Sequence, residues 1–386
     1  MENGTQVRRA QSCAIDAREA VREFHAGVAQ PDMALVLFFC SSEYDLDVLA
    51  EEMERLFAGV QVIGCTTAGE IGPSDCHDHS ISGVSFDAGS FAAASGIIDN
   101  LQQFEIARGE SLVQDLLCKL EDLEPEANAG NTFAFLLIDG LSVREEPVTS
   151  ALQIALGELP LVGGSAGDGL DFRKTYVYFE GSFRTDSAVL ILITTPLPFR
   201  LFKTQHFIPT DQRVVVTGAD AEHRIITEID GWPAAEAYAR LAEVDVGDLD
   251  PMRFAALPVV VLIDGANYVR SIQKVNADGS LTLFCAIEDG VVLRVGRSGD
   301  LMANLEQAFA DVEAEIGPPQ VVLGCDCVHR KIEIIESGLV DRVAEVLHDN
   351  NVTGFNTYGE QYHGVHINRT LTGVAIGSAP QDANDG

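Results

Sequence analysis

Apolar residues recur along this chain at two different spacings, which predict a mixture of helices and strands. Spacings of three or four residues predict six amphipathic helices, which begin near Ser12, Leu46, Ser111, Pro147, Leu301 and Leu339. Short continuous apolar runs bounded by turn residues predict buried strands over 34–40, 133–140, 188–194, 259–265 and 321–325. Because strand–helix–strand spacing recurs, we expect a mixed α/β fold built from βαβ segments.

One strand–helix–strand pattern occurs near both ends of the chain. The first copy closes with VIGCTTAGE at 62–70 and the last with VTGFNTYGE at 352–360, so both contain G-x-x-T-x-G-E. A looser middle copy closes with LVGGSAGDG at 161–169, where Asp168 takes the place of the glutamate. Such internal similarity is typical of duplicated units that pack against one another.

The repeat predicts two pseudo-repeated units, each with a β-sheet flanked by helices. We place the N-terminal unit at 30–195 and the C-terminal unit at 215–380. Between them, residues 196–214 include Pro196, Pro198 and Pro209, which predicts a linker-like segment. The repeated segments should superpose and bring Thr67 and Thr357 to corresponding positions.

The charge balance excludes several classes of partner. The 386 residues include 25 Lys and Arg against 59 Asp and Glu, a net charge of −34. A chain this acidic repels phosphate backbones and anionic lipid, so we expect neither nucleic acid nor a membrane as partner. No apolar run approaches the ~18 residues of a membrane span. The N-terminus has no apolar signal core, so we predict a cytoplasmic protein with its eight cysteines reduced.

Familiar catalytic motifs are missing from the sequence. It has no G-x-S-x-G elbow, no H-E-x-x-H, no Walker loop and no G-x-G-x-x-G that opens a helix. No short segment pairs a nucleophile with a base. We therefore expect no catalytic residues and no enzyme.

The two G-x-x-T-x-G-E turns are the first candidate site. They place the hydroxyls of Thr67 and Thr357 and the carboxylates of Glu70 and Glu360 just after a strand, where α/β proteins often bind ligands. His366 follows the second turn and is a further candidate for ligand contact. The alternative is that these threonines and glutamates satisfy the turns themselves.

A second candidate is the segment FRLFKTQHFIPT at 199–210. Three aromatic residues and two cations surround its histidine in sequence, and the whole set is His206, Phe199, Phe202, Phe207, Arg200 and Lys203. An imidazole among aromatic rings suits an axial ligand of haem iron, and two cations suit the propionates.

Other histidines and cysteines offer alternative metal ligands. They are Cys325 and Cys327 with His329, His77 and His79 near Cys76, and His363 with His366. The spacing of two between Cys325 and Cys327 is unlike that of structural zinc sites, so buried thiols are the favoured interpretation there. A solvated loop is favoured for His77 and His79. His363, His366 and the two thiols remain rivals to His206 as haem ligands.

Four segments together resemble the FIST domain, in its N-terminal and C-terminal halves. They are IGCTTAGE (63–70), LPLVGGSAGDG (159–169), EIDGWPAAEAY (228–238) and GFNTYGEQYHGVHINRTLTGVAIG (354–377). The resemblance covers about residues 30–380 and implies a bacterial sensory domain for small ligands. Within the family, KTQHFIPT (203–210) resembles the nitric-oxide-sensing haemoprotein branch, NosP.

The resemblance to that branch implies a specific function. It implies haem b held by His206, nitric oxide as the ligand, and control of a partner histidine kinase with effects on cyclic-di-GMP signalling and biofilm behaviour. No kinase or cyclase segment is recognisable, so we expect the output on another protein, and a homodimer is a possible assembly. The alternative is a haem-free sensory domain that holds a small metabolite, such as an amino acid, between the two G-x-x-T-x-G-E turns.

Overall fold

The computed structural model describes residues 6–378 apart from 75, 251–252, 255–256 and 264. Within this part of the chain the helices are α1 (Ala17–Val28), α2 (Leu46–Leu56), α3 (Ile106–Leu123), α4 (Glu145–Leu156), α5 (Ala234–Ala242), α6 (Leu301–Ile316), α7 (Val328–Glu336) and α8 (Val340–Asp349). The aspartates Asp16, Asp45 and Asp300 precede α1, α2 and α6, and each carboxylate accepts a backbone N–H of the first turn. These caps satisfy donors that would otherwise lack partners, which explains where the three helices begin.

Strands in the first third of the chain are β1 (Val7–Ser12), β2 (Met33–Ser41), β3 (Val62–Thr67), β4 (Glu70–Ile71), β5 (Cys76–His77) and β6 (Ile81–Asp87). The second set is β7 (Ala92–Asp99), β8 (Thr132–Ile138), β9 (Leu161–Ser165), β10 (Val177–Phe179), β11 (Ser182–Arg184) and β12 (Ser187–Thr194). The third set begins with β13 (Phe199–Thr204) and resumes after an insertion.

The insertion contains β14 (Phe207–Asp220), β15 (Ile225–Ile229), β16 (Trp232–Pro233), β17 (Val259–Ile263), β18 (Ala266–Arg270), β19 (Ile272–Val275), β20 (Leu281–Leu283) and β21 (Val292–Ser298). The third set then ends with β22 (Val321–Cys327), β23 (Val352–Thr357), β24 (Glu360–Tyr362), β25 (Val365–Ile367) and β26 (Leu371–Ile376).

Three six-stranded sheets share one plan. Their strand orders are β1-β6-β2-β3-β10-β11, β7-β12-β8-β9-β24-β25 and β13-β26-β22-β23-β4-β5. Each has a parallel pair at its centre, β2/β3, β8/β9 or β22/β23, and antiparallel neighbours on both sides. The predicted mixed α/β fold with recurring βαβ segments is confirmed. The middle copy, which is the weakest in sequence, has the same strand plan as the other two.

The three sheets exchange hairpins in a cycle. The first sheet is completed by β10 and β11 from the second set, the second by β24 and β25 from the third set, and the third by β4 and β5 from the first set. In every case the donated strand pairs antiparallel with the second strand of the parallel pair. No sheet is therefore complete without strands from another part of the chain.

The inner faces of the three sheets form one apolar core. Phe39 of β2, Phe135 of β8 and Phe355 of β23 are fully buried there. The rings of Phe39 and Phe355 stack with centroids 4.6 Å apart. Helices cover the outer faces, with α1 and α2 on the first sheet, α3 and α4 on the second, and α6, α7 and α8 on the third. Each sheet is thus buried on both sides, which explains its continuous apolar runs.

The segment 196–214, which we expected to be a linker, contributes strands instead. Pro196 and Pro198 precede β13, where a missing N–H breaks no ladder bond, and β13 pairs along its length with β26. Pro209 lies within β14, opposite Gly296 of β21, beside an irregularity in the register. The prolines therefore mark strand ends and a bulge rather than an unstructured connection.

The insertion between β13 and α6 has its own sheet and core. Its strand order is β18-β17-β21-β14-β15-β20-β19, and α5 packs on it around buried Tyr238. A buried ion cluster attaches it to the second sheet. The Arg224 guanidinium of the insertion donates to Glu145 at 2.5 Å and to Glu146, both in the first turn of α4. Arg224 also donates to the carbonyl of Phe284 at 2.8 Å.

Removing Arg224 should cost far more stability than removing an exposed arginine. Arg224→Met leaves two carboxylates without their cation at a buried interface, which we expect to lower the free energy of unfolding by about 3–5 kcal/mol. Arg18→Met is the matched control, because the Arg18–Glu51 pair is solvent-exposed and worth less than about 1 kcal/mol. Urea denaturation of both variants measures the difference. Equal losses would show that the cluster does not hold the insertion.

Candidate functional site

The ends of the three parallel pairs meet and bond to one another through their backbones. Each turn exchanges hydrogen bonds with its neighbour, and the bonds are Ala68 N to Asn356 O (2.9 Å), Asn356 N to Gly69 O (2.7 Å), Ser165 N to Gly359 O (2.8 Å), Tyr358 N to Ser165 O (3.2 Å), Gly167 N to Thr66 O (2.9 Å) and Thr66 N to Tyr176 O (3.0 Å). The motifs found in sequence therefore form a single junction, although almost 300 residues separate the first from the last.

The threonine and glutamate of each G-x-x-T-x-G-E motif bond to each other at this junction. Thr67 donates its hydroxyl to Glu70, whose other oxygen accepts from the N–H and hydroxyl of Ser80 at 2.9 and 2.8 Å. In the last motif Glu360 accepts from Thr357 at 2.5 Å and from Thr370. Both carboxyls are fully buried. The arrangement favours the alternative interpretation, in which these side chains satisfy the turns.

Burial governs the ionisation of both glutamates. Desolvation raises the pKa of Glu70 to about 7 and that of Glu360 to about 8. The hydrogen bonds to the two carboxyls lower both pKa values, but by less than desolvation raises them. A protonated carboxyl suits the site, because it can donate to the threonine while its carbonyl oxygen accepts from Ser80 or Thr370.

Asp168 of the middle copy does not correspond to these glutamates. In the register of the exchanged strands, Glu70 lies opposite Phe355, Glu360 opposite Gly164, and Val177 opposite Cys65. Val177 therefore occupies the glutamate position, after a longer loop. The Asp168 carboxylate instead accepts N–H groups of Phe172, Arg173 and Lys174 at 2.8–2.9 Å. Because the loop of the middle copy is longer, alignment of the three motifs by sequence wrongly placed Asp168 at the position of the glutamates.

A cavity of about 180 Å³ lies beside this junction, with Ile71 just after the first motif and Asn356 of the last motif among its lining residues. We name it the hairpin cavity, because one wall is the β4–β5 hairpin. Apolar side chains of α7 and α8 form the opposite wall, and they are Ile334, Ile335, Val340, Val343, Ala344 and Leu347. Its polar end has Asp78, Asp326, Lys331 and Asn356. The cavity thus combines an apolar wall with a few polar groups, as small-molecule sites do.

Lys331 is the cation of the hairpin cavity. Its ammonium donates to the carbonyl of Ala68 at 2.7 Å and pairs with Asp78, whose side chain is 79% exposed. Gly69 approaches this group closely with φ of 135°, and a Cβ there would collide with Lys331 Nζ and lie 2.9 Å from Asn356 Oδ1. The motif glycine is therefore needed both for its backbone conformation and for its lack of a side chain. Sequence analysis missed Lys331, since only the folded chain brings α7 to the first motif.

His206 does not lie in a site that fits haem. Its Nε2 is 2.9 Å from Glu333 Oε1, Arg330 Nη1 is 3.4 Å from its Nδ1, and its side chain is fully buried. Both ring nitrogens thus contact other side chains. Arg369 pairs with the second oxygen of Glu333 at 3.1 Å, so the histidine belongs to a buried ionic network. Burial lowers the pKa of His206, although Glu333 opposes this effect.

The other predicted haem residues are divided among separate environments. Phe199 packs on Phe133 with ring centroids 5.0 Å apart, whereas Phe202 packs on Phe309 of α6. These two lie on opposite faces of β13, because side chains alternate along a strand. The guanidinium of Arg369 covers the ring of Phe207. Arg200, Phe202 and Lys203 do line one cavity of about 280 Å³, without His206 among its lining residues.

The rival ligands are also placed apart. Burial raises the pKa of the Cys325 and Cys327 thiols, and it lowers the pKa of His329 to about 3. His329 is on helix α7, not on a strand with the two cysteines as expected. Across the described ranges, no three or more His, Cys, Asp or Glu side chains are grouped so that they could hold a metal ion.

The remaining histidines are held in different surroundings. His366 is buried, with Gln361 Nε2 3.1 Å from its Nδ1 and the Phe284 carbonyl 3.2 Å from its Nε2. His363 packs on the ring of Tyr362, and His79 Nδ1 is 3.1 Å from Glu43. His77 lies on β5 and lines the hairpin cavity.

The two buried glutamates should make stability fall as pH rises. Because their native pKa values exceed the usual 4.5, the folded state binds more protons than the unfolded state between about pH 4.5 and pH 8, so stability declines across that window. For Glu70 the full effect is up to about 3 kcal/mol. The variant Glu70→Gln/Glu360→Gln keeps the hydrogen bonds without ionising, and its urea stability should change less between pH 5.5 and pH 8. The same slope in both proteins would contradict the assignment.

Two family models match consecutive parts of the chain. The FIST N domain matches residues 34–232 and the FIST C domain matches residues 234–363. A curated relative, the uncharacterized protein MJ1623 of Methanocaldococcus jannaschii, is 24% identical over 213 residues, which are 54% of this chain and 41% of that protein. The match therefore spans less than half of the relative's length.

Two solved structures of cyanuric acid hydrolases align along almost the whole chain. The one from A. caulinodans has a TM-score of 0.36 at 8% identity, with 97% of this chain and 99% of that one covered. The other has a TM-score of 0.32 at 10% identity, with 96% and 99% covered. These enzymes correct our prediction that the chain is not an enzyme, so the missing motifs no longer exclude one. TM-scores this low assign no reaction to the chain.

None of the helices in the described part of the chain is both long and apolar enough to cross a membrane. The FIST models together match most of the sequence, and the first alone covers more than half of it. Of the four segments that resembled this family in sequence, the first two lie within the FIST N range, the third spans the boundary between the two ranges, and the last begins in the FIST C range and extends past its end at residue 363. The chain therefore belongs to the FIST family, whose domains are sensory domains in signal transduction.

Proposed function

We propose that this chain is a sensory domain that binds a small carboxylate metabolite, such as an amino acid, in the hairpin cavity. One observation carries the proposal. The cavity lies between α7 and α8 and the β4–β5 hairpin that follows the first G-x-x-T-x-G-E turn, and it joins an apolar wall to one lysine and one amide, Lys331 and Asn356. A volume of about 180 Å³ suits a ligand smaller than the drug-sized molecules of larger pockets.

Lys331 is the group that would hold the carboxylate. Its present ionic partner, Asp78, is largely exposed to solvent, so a ligand carboxylate can replace it at little cost. The hydrogen bond from Lys331 to the Ala68 carbonyl holds the ammonium next to the first G-x-x-T-x-G-E motif. Asp326 at the same end is already paired with the buried Arg330 guanidinium at 2.6 Å, which leaves Lys331 as the charged group available to the ligand. The α8 side chains face an aliphatic part of the ligand.

The position of the hairpin cavity within the fold suggests how ligand binding is transmitted to other parts of the protein. The β4–β5 hairpin belongs to the first set of strands but pairs with β23 of the third. A ligand between this hairpin and the helices α7 and α8 touches both sets. It shifts the position of the hairpin relative to those helices when it binds one arrangement more tightly than the other. The sequence resemblance favours a partner histidine kinase that reads this change through its autophosphorylation.

Haem as the ligand has less support. The resemblance of KTQHFIPT to the nitric-oxide-sensing branch motivates it, but the surroundings of His206 do not fit an iron ligand, as described above. The signal that we propose therefore starts from the hairpin cavity and does not involve haem or nitric oxide.

The lysine of the hairpin cavity should be required for binding. Thermal-shift screening of the purified protein against the standard amino acids and short carboxylates should find a ligand. Calorimetric titration with that compound should show Lys331→Met weakened by roughly tenfold or more, because a charge-assisted hydrogen bond is lost. Lys174→Met, at an exposed lysine, is the matched control.

A second variant tests shape without removing the charge. Ala344→Leu fills the apolar wall and should also reduce affinity. If no compound raises the melting temperature, or if both variants bind as tightly as the unmodified protein, the hairpin cavity is not the sensory site.

The haem hypothesis predicts that substitution of His206 changes the visible spectrum of the haem-loaded protein. We expect that haem added to the purified protein gives a visible spectrum that is the same for the unmodified protein and for His206→Ala. The variant should instead lose stability, because Glu333 and Arg330 lose a buried partner. A Soret band that shifts on substitution of His206 in a folded variant would restore the histidine as a haem ligand.

A further inference from the structure

The second cavity, of about 280 Å³, lies along the outer edge of β13. We name it the edge cavity. Its walls are the strand residues 200–204, one side of α6 that includes Asn304 and Gln307, and the ring of Tyr362. Because β13 is the terminal strand of its sheet, it bonds to β26 on one side only. The backbone groups of its other side are available to a bound molecule.

We propose that the edge cavity binds the anionic group of a small organic molecule, a carboxylate or a phosphate, through Lys203. This site is separate from the hairpin cavity and does not depend on the function proposed above.

Lys203 is half-buried and forms no ion pair with an acidic side chain among the described residues. Asp311 also lines the edge cavity, but its carboxylate accepts a hydrogen bond from Gln307 at 2.7 Å. Its ammonium lies 5.0 Å from the ring centroid of Tyr268 and 5.9 Å from that of Tyr362. The chain has 59 acidic residues against 25 basic ones, so an acidic partner would be easy to supply. A partly desolvated cation without a counterion is costly to a fold, which points to an anion that comes from outside. Burial also lowers the pKa of Lys203.

Two buried oxygens of the same cavity have no hydrogen-bond partner. Thr204 is 2% exposed, and its hydroxyl contacts no donor or acceptor in the described structure. Asn304 Oδ1 is also buried and has no hydrogen-bond partner in the described structure. Both residues line the edge cavity. Buried polar atoms are normally satisfied, so these two are placed to bond to a ligand. The Asn304 oxygen needs a donor, which indicates a hydroxyl or ammonium group next to the anion.

Arg200 shows by contrast why Lys203 is the binding cation. The Arg200 guanidinium donates to the carbonyl of Asp311 and pairs with Glu315 at 3.0 Å. It is therefore already neutralised by its own surroundings and held against α6. Lys203, on the same strand, retains its charge for a ligand.

Chemical labelling of the unmodified protein tests the site without any substitution. Brief treatment with acetic anhydride, followed by peptide mass spectrometry, measures the rate of acetylation at Lys203. Succinate and inorganic phosphate serve as separate probes. We expect one or both to slow labelling of Lys203 by roughly tenfold at saturation, because an anion bound to the ammonium blocks its reaction with the anhydride. Lys119, on the exposed side of α3, is the internal control and should label at an unchanged rate.

The two probes distinguish the source of the anion. Protection by succinate alone identifies a carboxylate ligand, and protection by phosphate alone identifies a phosphate ester. Protection by neither, with Lys119 unaffected, overturns the proposal.

Substitutions extend the test to affinity. Calorimetric titration with the protecting probe should show binding lost in Lys203→Met and reduced by roughly tenfold in Thr204→Val, which keeps the side-chain shape but removes the hydroxyl. Lys174→Met, at an exposed lysine outside both cavities, should bind the probe as the unmodified protein does. Normal binding by Lys203→Met would also contradict the proposal, and the labelling result stands if a variant fails to fold.

Discussion

Completion of each sheet by a hairpin from elsewhere in the chain is the constraint on which this structure depends. A parallel pair such as β2/β3 leaves one edge of its sheet without hydrogen-bond partners, and β10 of the second set covers that edge. The second set receives β24 in the same way, and the third receives β4. Because the exchange is cyclic, the edges are satisfied only when all three sets of strands are folded together.

This exchange sets strict requirements on the turns that lead into the hairpins. The chain must leave one sheet and enter the next within a few residues, while its polar groups stay buried. Glu70 and Glu360 meet this requirement, because each binds its own threonine and a hydroxyl residue ten positions later. The cost is two buried carboxyls whose pKa values are raised. The middle turn uses another solution, in which Asp168 binds the N–H groups of a longer loop.

The places where different sets of strands meet also contain the two cavities in which a ligand can bind. The hairpin cavity lies where the β4–β5 hairpin of the first set meets α7 and α8 of the third. The edge cavity lies where β13 and α6 meet Tyr362, whose strand β24 is part of the second sheet. A molecule in the hairpin cavity touches elements from different sets of strands within the third sheet, and a molecule in the edge cavity touches elements of two sheets. Such positions suit a sensory protein, since binding there can bias how the sets of strands are arranged.

The sequence by itself determined the elements, because each follows from local spacing. Five predicted strands and six predicted helices are present, and the two G-x-x-T-x-G-E motifs correctly identified turns that meet. The partners across the chain were decided only by tertiary structure. Aromatic and cationic residues near His206 suggested one haem pocket, yet β13 directs Phe199 and Phe202 to opposite faces and Glu333 of α7 contacts the histidine. Lys331 became visible as a candidate ligand residue only when folding placed α7 against the first motif. Local spacing cannot specify such pairings, because they depend on which sheet edge receives which hairpin.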